Sequence, residues 1–176
     1  RMESMKFENT TGQTHAEMGY YLMRIFEPMR NAAEIIRHHH IPWENGKGKK
    51  HKGENVARGS RVLYLADHIA LLIDKEKEIL GQIEAIKNRI ISDKGSMFEP
   101  ELVDVFLALA EKEFFWLDLV SPMISKQLEA SVKLESMFLD SSKLLSFSGL
   151  IRRMIDFRSP FTATHSSGVS ATAEYI

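Results

Sequence analysis

The residues with the clearest chemical potential are three consecutive histidines, His38-His39-His40, and an aspartate downstream, Asp67. Successive residues at a helix end point about 100° apart, given ~3.6 residues per turn. Adjacent imidazoles there could serve two metals, or one metal and a neighbouring partner. Neutral imidazole is a common ligand for zinc, iron, nickel and copper. The competing explanations are a solvated surface cluster or a tag remnant. The run is internal and leads directly into Ile41-Pro42-Trp43, which argues against a tag. Asp67 has Leu63 four residues before it and Ala70 and Leu71 three and four after, in or beside an apolar stripe. A carboxylate there is costly unless it is ion-paired, hydrogen-bonded or bound to a metal. The structural alternative is an ion pair with Arg37, Arg58 or Arg61. His15 falls in the first turn of an earlier helix, where an exposed or capping histidine is the competing explanation. Together His15, His39, His40 and Asp67 make a nitrogen-and-oxygen donor set. Such a set suits iron, manganese or zinc, and would serve hydrolysis by activating a water.

The elements that must carry these residues read as helices. Met18, Leu22, Ile25 and Phe26 recur at helical spacing and predict a helix over 14–26, with Thr14 and Glu17 as a capping box. Pro28 suits the first turn of a second helix running to about His39. Between Ile41 and Ala57 periodicity vanishes, and Pro42, Gly46, Gly48 and Gly53 mark a loop with local positive charge from Lys47, Lys49, Lys50, His51 and Lys52. That cluster could attract phosphate or could be a solvated loop. A third helix is predicted over 58–74, with Val62, Ala66, Ile69 and Ile73 on one face and Leu63 and Ala70 beside it. Further helices are expected over 77–91, 98–110, 112–119 and 122–132, then over 150–157 and 163–176. The serine-rich stretch 121–148 reads as a connection. No period-two strand pattern persists, and no solenoid repeat is present.

Composition narrows the class. The chain has 176 residues, 44% of them hydrophobic, a net charge of −1 and no cysteine. A real core can form. The near-neutral charge gives no reason to expect a nucleic acid polymer or an anionic membrane as the main partner. Thiolate metal sites and disulfides are excluded. The apolar runs are too short and too interrupted by charge to span a bilayer. Residues 1–9 lack the apolar core of a signal peptide. A cytoplasmic location is the expectation.

Several motifs in order resemble the HD-GYP metal-dependent phosphohydrolases. They are Thr14-His15-Ala16-Glu17-Met18-Gly19, then Ile35 to Gly46 with its histidine run, then Leu65-Ala66-Asp67-His68-Ile69-Ala70, then Gly95-Ser96-Met97-Phe98-Glu99-Pro100-Glu101-Leu102-Val103. The resemblance spans roughly 10–115. It implies that His15 is the histidine following the family's His-Asp pair, that His39 and His40 are its double histidine, and that Asp67 is its late metal-binding aspartate. His38 and His39 are the alternative frame. It further implies two divalent metal ions in a complete site and a phosphodiester substrate, with cyclic di-GMP first in line. The chain also departs from the pattern. It contains no His-Asp dipeptide, Ile41 stands where a glutamate usually follows the double histidine, and Asn45-Gly46-Lys47-Gly48-Lys49 occupies the Gly-Tyr-Pro region. The arginine and lysine usual after the late aspartate are not clearly matched by Lys75 or Lys77. A complete family-type site cannot be built from these residues. Near the end, Asp156 to Ser166 resembles the opening of a second such domain, in which His165 would be the first metal ligand.

The resulting expectations are an all-α, HD-domain-like helical bundle, with the later part of one domain at 10–118, a helical connector at 119–155 and the start of a second domain at 156–176. A homodimer is expected from the incomplete apolar faces. Two functions compete: a metal-dependent phosphodiesterase of signalling nucleotides, or a catalytically degenerate regulatory module. A plain helical interaction module is a third.

Overall fold

The computed structural model describes residues 12–132, 137–158 and 172. These residues form two compact units, one from the segments 12–37 and 137–158, the other from 38 to 132. Both are helical, so the all-α class expected from periodicity is the class observed.

The first unit contains α1 (Gly12–Met23), α2 (Arg30–Arg37) and α8 (Ser141–Arg158). Small residues let α1 and α2 approach closely. Ala16 and Ala33 are fully buried, and a methyl on Gly19 would come within 3.0 Å of the Ile36 side chain. Arg37 bonds Glu17 at 3.2 Å and lies 4.5 Å from the Tyr20 ring centroid. α1 starts two residues before the Thr14 expected to cap it, so Thr14 sits inside the first turn. Pro28 opens a single 3-10 turn, Glu27–Met29, that leads into α2. α8 is eighteen residues long and takes in the last part, 141–148, of the stretch read as a connection. The Asp140 carboxylate caps it by accepting the Lys143 N–H at 2.8 Å. Phe147 meets Phe26 edge-on at 5.4 Å between ring centroids.

The second unit holds α3 (Arg58–Leu72), α4 (Ile83–Ser92), α5 (Pro100–Ala110), α6 (Glu113–Leu119) and α7 (Ile124–Ser131). Its core gathers Tyr64, Leu65, Ile90, Val103, Phe106 and Trp116. Trp116 is fully buried and donates its indole N–H to the Ala110 carbonyl at 2.8 Å, so its one polar atom is satisfied. α4 starts later than the predicted 77, because Gln82 bonds the Asp74 N–H at 2.8 Å and the Asp74 carbonyl at 3.0 Å, closing residues 74–82 into a loop. α3 buries Ser60, Tyr64, Leu65 and Ile69, while Val62 and Leu63 are exposed. The face predicted from aliphatic residues alone is therefore displaced: the stripe runs through Ser60 and Tyr64. One element was not anticipated, a hairpin of β1 (Lys50–His51) and β2 (Glu54–Asn55). Its strands are two residues long, too short for alternation to register. Among the described residues, no helix is long and apolar enough to cross a membrane.

Candidate metal centre

His38, His39 and His40 occupy a turn directly after α2, and not the helix end the sequence suggested. His38 is buried, at 4% exposure. Its Nε2 lies 3.7 Å from the Glu54 carboxylate, and its ring is 6.0 Å from that of His51. His39 and His40 are half-buried. Their rings stand side by side, centroids 3.9 Å apart and planes tilted by 40°.

The chain leaving this turn is folded onto itself. Gly48 passes so near Pro42 that any Cβ would fall 1.8 Å from the Pro42 carbonyl oxygen, which only glycine tolerates. Glu44, Asn45 and Gly46 adopt positive φ in succession. The segment is then tied to the loop before α5. The N–H groups of Trp43, Glu44 and Asn45 donate to the carbonyls of Met97, Ser96 and Gly95 at 2.8, 2.7 and 2.8 Å. The motif containing the double histidine and the motif containing Phe98-Glu99-Pro100 are thus hydrogen-bonded partners, 50 residues apart in sequence.

Arg61 on α3 completes this frame. Its Nε bonds the Glu99 carboxylate at 2.7 Å with both side chains nearly buried, 13% and 10% exposed. Its NH1 donates to the Val56 carbonyl at 2.9 Å, and its guanidinium lies 5.5 Å from the Trp43 ring centroid. Glu99 is the residue before Pro100, the first residue of α5, and spends its carboxylate on Arg61 instead of capping that helix. The sequence offered Arg61 as a possible partner of Asp67 and Glu99 only as part of a motif, so their pairing with each other was not anticipated. A carboxylate lodged between Phe98 and Pro100 was the available signal, since a charge in apolar company must find a partner.

Asp67 lies on α3 and is half-buried. The arginines that could have neutralised it are engaged elsewhere: Arg37 with Glu17, Arg58 with Glu101 and Arg61 with Glu99. The structure holds no ion pair or hydrogen bond to its carboxylate among the described residues. One residue on, His68 donates Nδ1–H to the Tyr64 carbonyl at 2.9 Å, which fixes its tautomer. Burial, and then the charge of Asp93, push the Tyr64 phenol above its ordinary pKa.

His15 is on α1 in the first unit and is exposed. His165 lies outside the described residues, as does most of the predicted helix 163–176. Within the second unit, the adjacent rings of His39 and His40 present imidazole nitrogens of the kind that bind metal. The donors are imidazole nitrogens, and α3 of the same unit carries Asp67, a carboxylate with no ion pair or hydrogen bond among the described residues. That chemistry fits a divalent ion of the zinc, iron or manganese kind.

No family model matches the chain. It is 26% identical over 187 aligned residues to the 3′3′-cGAMP-specific phosphodiesterase 1 of Vibrio cholerae, covering 99% of this chain and 42% of that protein. It is 31% identical over 118 residues to a probable cyclic di-GMP phosphodiesterase of the same organism, covering 61% of this chain and 26% of that protein. The chain thus spans less than half the length of these relatives. A crystal structure of a cyclic GMP-AMP-specific phosphodiesterase from Vibrio cholerae superposes with a TM-score of 0.64 at 24% identity, over 88% of this chain and 37% of that one. The chain therefore shares the helical fold of that structure and is similar in sequence to bacterial cyclic-dinucleotide phosphodiesterases.

Proposed function

We propose that this chain supplies the metal-binding histidines and late aspartate of an HD-GYP-type phosphohydrolase that cleaves a cyclic dinucleotide, 3′3′-cGAMP or cyclic di-GMP. In this reading His15, His39, His40 and Asp67 hold divalent metal. The observation that carries it is similarity along 99% of this chain to a cyclic-dinucleotide phosphodiesterase, with the imidazoles of His39 and His40 side by side in the second unit. Two further features support it. His38 is buried and faces the Glu54 carboxylate at 3.7 Å, whereas the rings of His39 and His40 are more accessible, which favours these two as the ligand pair. Asp67 has lost its arginine alternatives to other carboxylates.

A bound divalent ion would supply Lewis acidity and lower the pKa of a water to near neutrality. The chain's own contribution is positional. The ladder from residues 43–45 to 95–97 fixes where the histidine turn leaves its pair. Arg61 joins α3, which bears Asp67, to the same loop. Held donors bind metal more tightly because less ordering remains to be done on binding.

A second reading, a regulatory module of the same fold without catalysis, is favoured by the missing His-Asp dipeptide. Elemental analysis of the purified chain, followed by hydrolysis assays on 3′3′-cGAMP and cyclic di-GMP with manganese or iron, separates the readings. Stoichiometric metal with little or no cleavage by this chain alone is the expected result, because it has no His-Asp dipeptide. Chelator-sensitive cleavage by a longer chain that carries a His-Asp upstream selects the hydrolase reading, and metal without cleavage there selects the regulatory one. No retained metal overturns the metal centre itself.

A further inference from the structure

The β1–β2 hairpin and the 3-10 segment leading into it carry the densest run of positive charge in the chain. Four of the six residues from Lys47 to Lys52 are lysines, in a protein whose net charge is −1. All four are exposed. Among the described residues, no carboxylate pairs with any of them, whereas Lys77, Lys87 and Lys94 each have an acidic partner. Unpaired like charges repel one another and contribute nothing to folding.

The hairpin is also built and not loose. β1 and β2 pair in register, Lys50 with Asn55 and His51 with Glu54. The two-residue turn between them is Lys52-Gly53, with φ of +49° and +87°. A turn with positive φ at both positions prefers Asn, Asp or Gly at the first. A lysine there costs about 1 kcal/mol or more in backbone strain. At its base the hairpin is tied to the histidine turn, since both Glu54 and His51 face His38. Lys49 lies over the Trp43 ring, its Nζ 5.2 Å from the centroid.

We propose that this hairpin is an electrostatic docking arm that draws the anionic phosphodiester of a cyclic dinucleotide to the His39-His40 turn. The inference rests on the function proposed above for its choice of ligand, though not on metal binding or on cleavage. Charge unpaired within the fold, strain accepted to place Lys52 at the tip, and anchorage beside the double histidine converge on a ligand that is negative. Charge of this kind acts through space over roughly 10 Å at moderate salt, so direct contact from every lysine is not required.

The test is calorimetric titration of the metal-free chain with 3′3′-cGAMP and with cyclic di-GMP, at roughly 0.05 M and roughly 0.3 M salt. Replacing Lys47, Lys50 and Lys52 together by Gln is expected to weaken binding about tenfold at low salt and to remove most of the salt dependence. The equal charge change at Lys75, Lys112 and Lys126 is expected to leave binding within about twofold. The single change Lys52→Asn is expected to raise the melting temperature by relieving the turn, yet weaken binding. A purely structural hairpin would show the stability gain alone, and that outcome overturns the proposal. So does equal weakening by both triple variants, or no binding of either nucleotide by the unaltered chain. If binding depends on the hairpin but the chain retains no metal, the metal reading fails and the docking arm stands.

Discussion

Arg61 and Asp67 lie on the same face-turning helix, fewer than two turns apart, and meet opposite fates. Arg61 is nearly buried and fully employed: a carboxylate, a carbonyl and an aromatic ring all receive its guanidinium. Asp67 is half-buried, and no arginine within the described residues answers it. The difference teaches how to separate charges that build a fold from charges the fold leaves available. A charge with a complete set of protein partners has its desolvation already offset. One without partners must either stay wet or wait for a ligand.

The largest expected effect breaks the structural side of the comparison. Arg61→Met leaves the Glu99 carboxylate buried and unpaired, which should cost about 3–5 kcal/mol in denaturant unfolding. Adding Glu99→Leu should recover much of that loss, and a double variant no more stable than the single one would show that the pair does not carry the frame. A second change lies between the two residues. Tyr64 has a raised pKa from burial and from Asp93. Above pH about 10 the unfolded chain gives up this proton first. Its contribution to stability is therefore complete below that pH and declines as pH rises through the folded-state value. Tyr64→Phe should flatten the alkaline limb of the stability profile, and an unchanged limb would exclude this residue as its source. A smaller effect is expected from Arg58→Ala, because the Arg58–Glu101 pair is exposed on both sides. Its loss should cost about 0.2–1 kcal/mol and fade in salt. The smallest is Asp67→Asn without metal, expected within about 0.5 kcal/mol of the unaltered chain in the same unfolding assay. A large loss there would mean that Asp67 has a structural partner after all.

Much of this arrangement was legible in the sequence. The third helix starts at Arg58 as its pattern implied, and the loop 41–57 was marked by its glycines and Pro42. What could not be read falls into three physical kinds. Short-range alternation cannot reveal β1 and β2, since two residues make no period. Tyrosine and serine hide a buried stripe when only aliphatic residues are counted, which displaced the predicted face of α3. The serines of 141–148 lower helix propensity, yet the Asp140 cap and the contact of Phe147 with Phe26 hold the helix. The candidate site divides in the same way. Ligand types were visible as residue types, whereas the Arg61–Glu99 pair and the ladder from residues 43–45 to 95–97 join segments far apart in sequence and leave only indirect marks on it. The domain limits expected at 118 and 155, and the role of His165, belong to proposals about a longer architecture.

The most direct measurement is thermal unfolding of the unaltered chain and of Asp67→Asn, each with and without manganese or zinc at about 100-fold excess over the dissociation constant. Binding to the native state alone should add about 2.7 kcal/mol, a rise of roughly 5–10 °C for a chain of this size. The expected result is that rise in the unaltered chain and little or none in Asp67→Asn, with both melting alike when metal is absent. Equal rises in the two proteins would contradict the assignment of Asp67 as the carboxylate the fold leaves for metal.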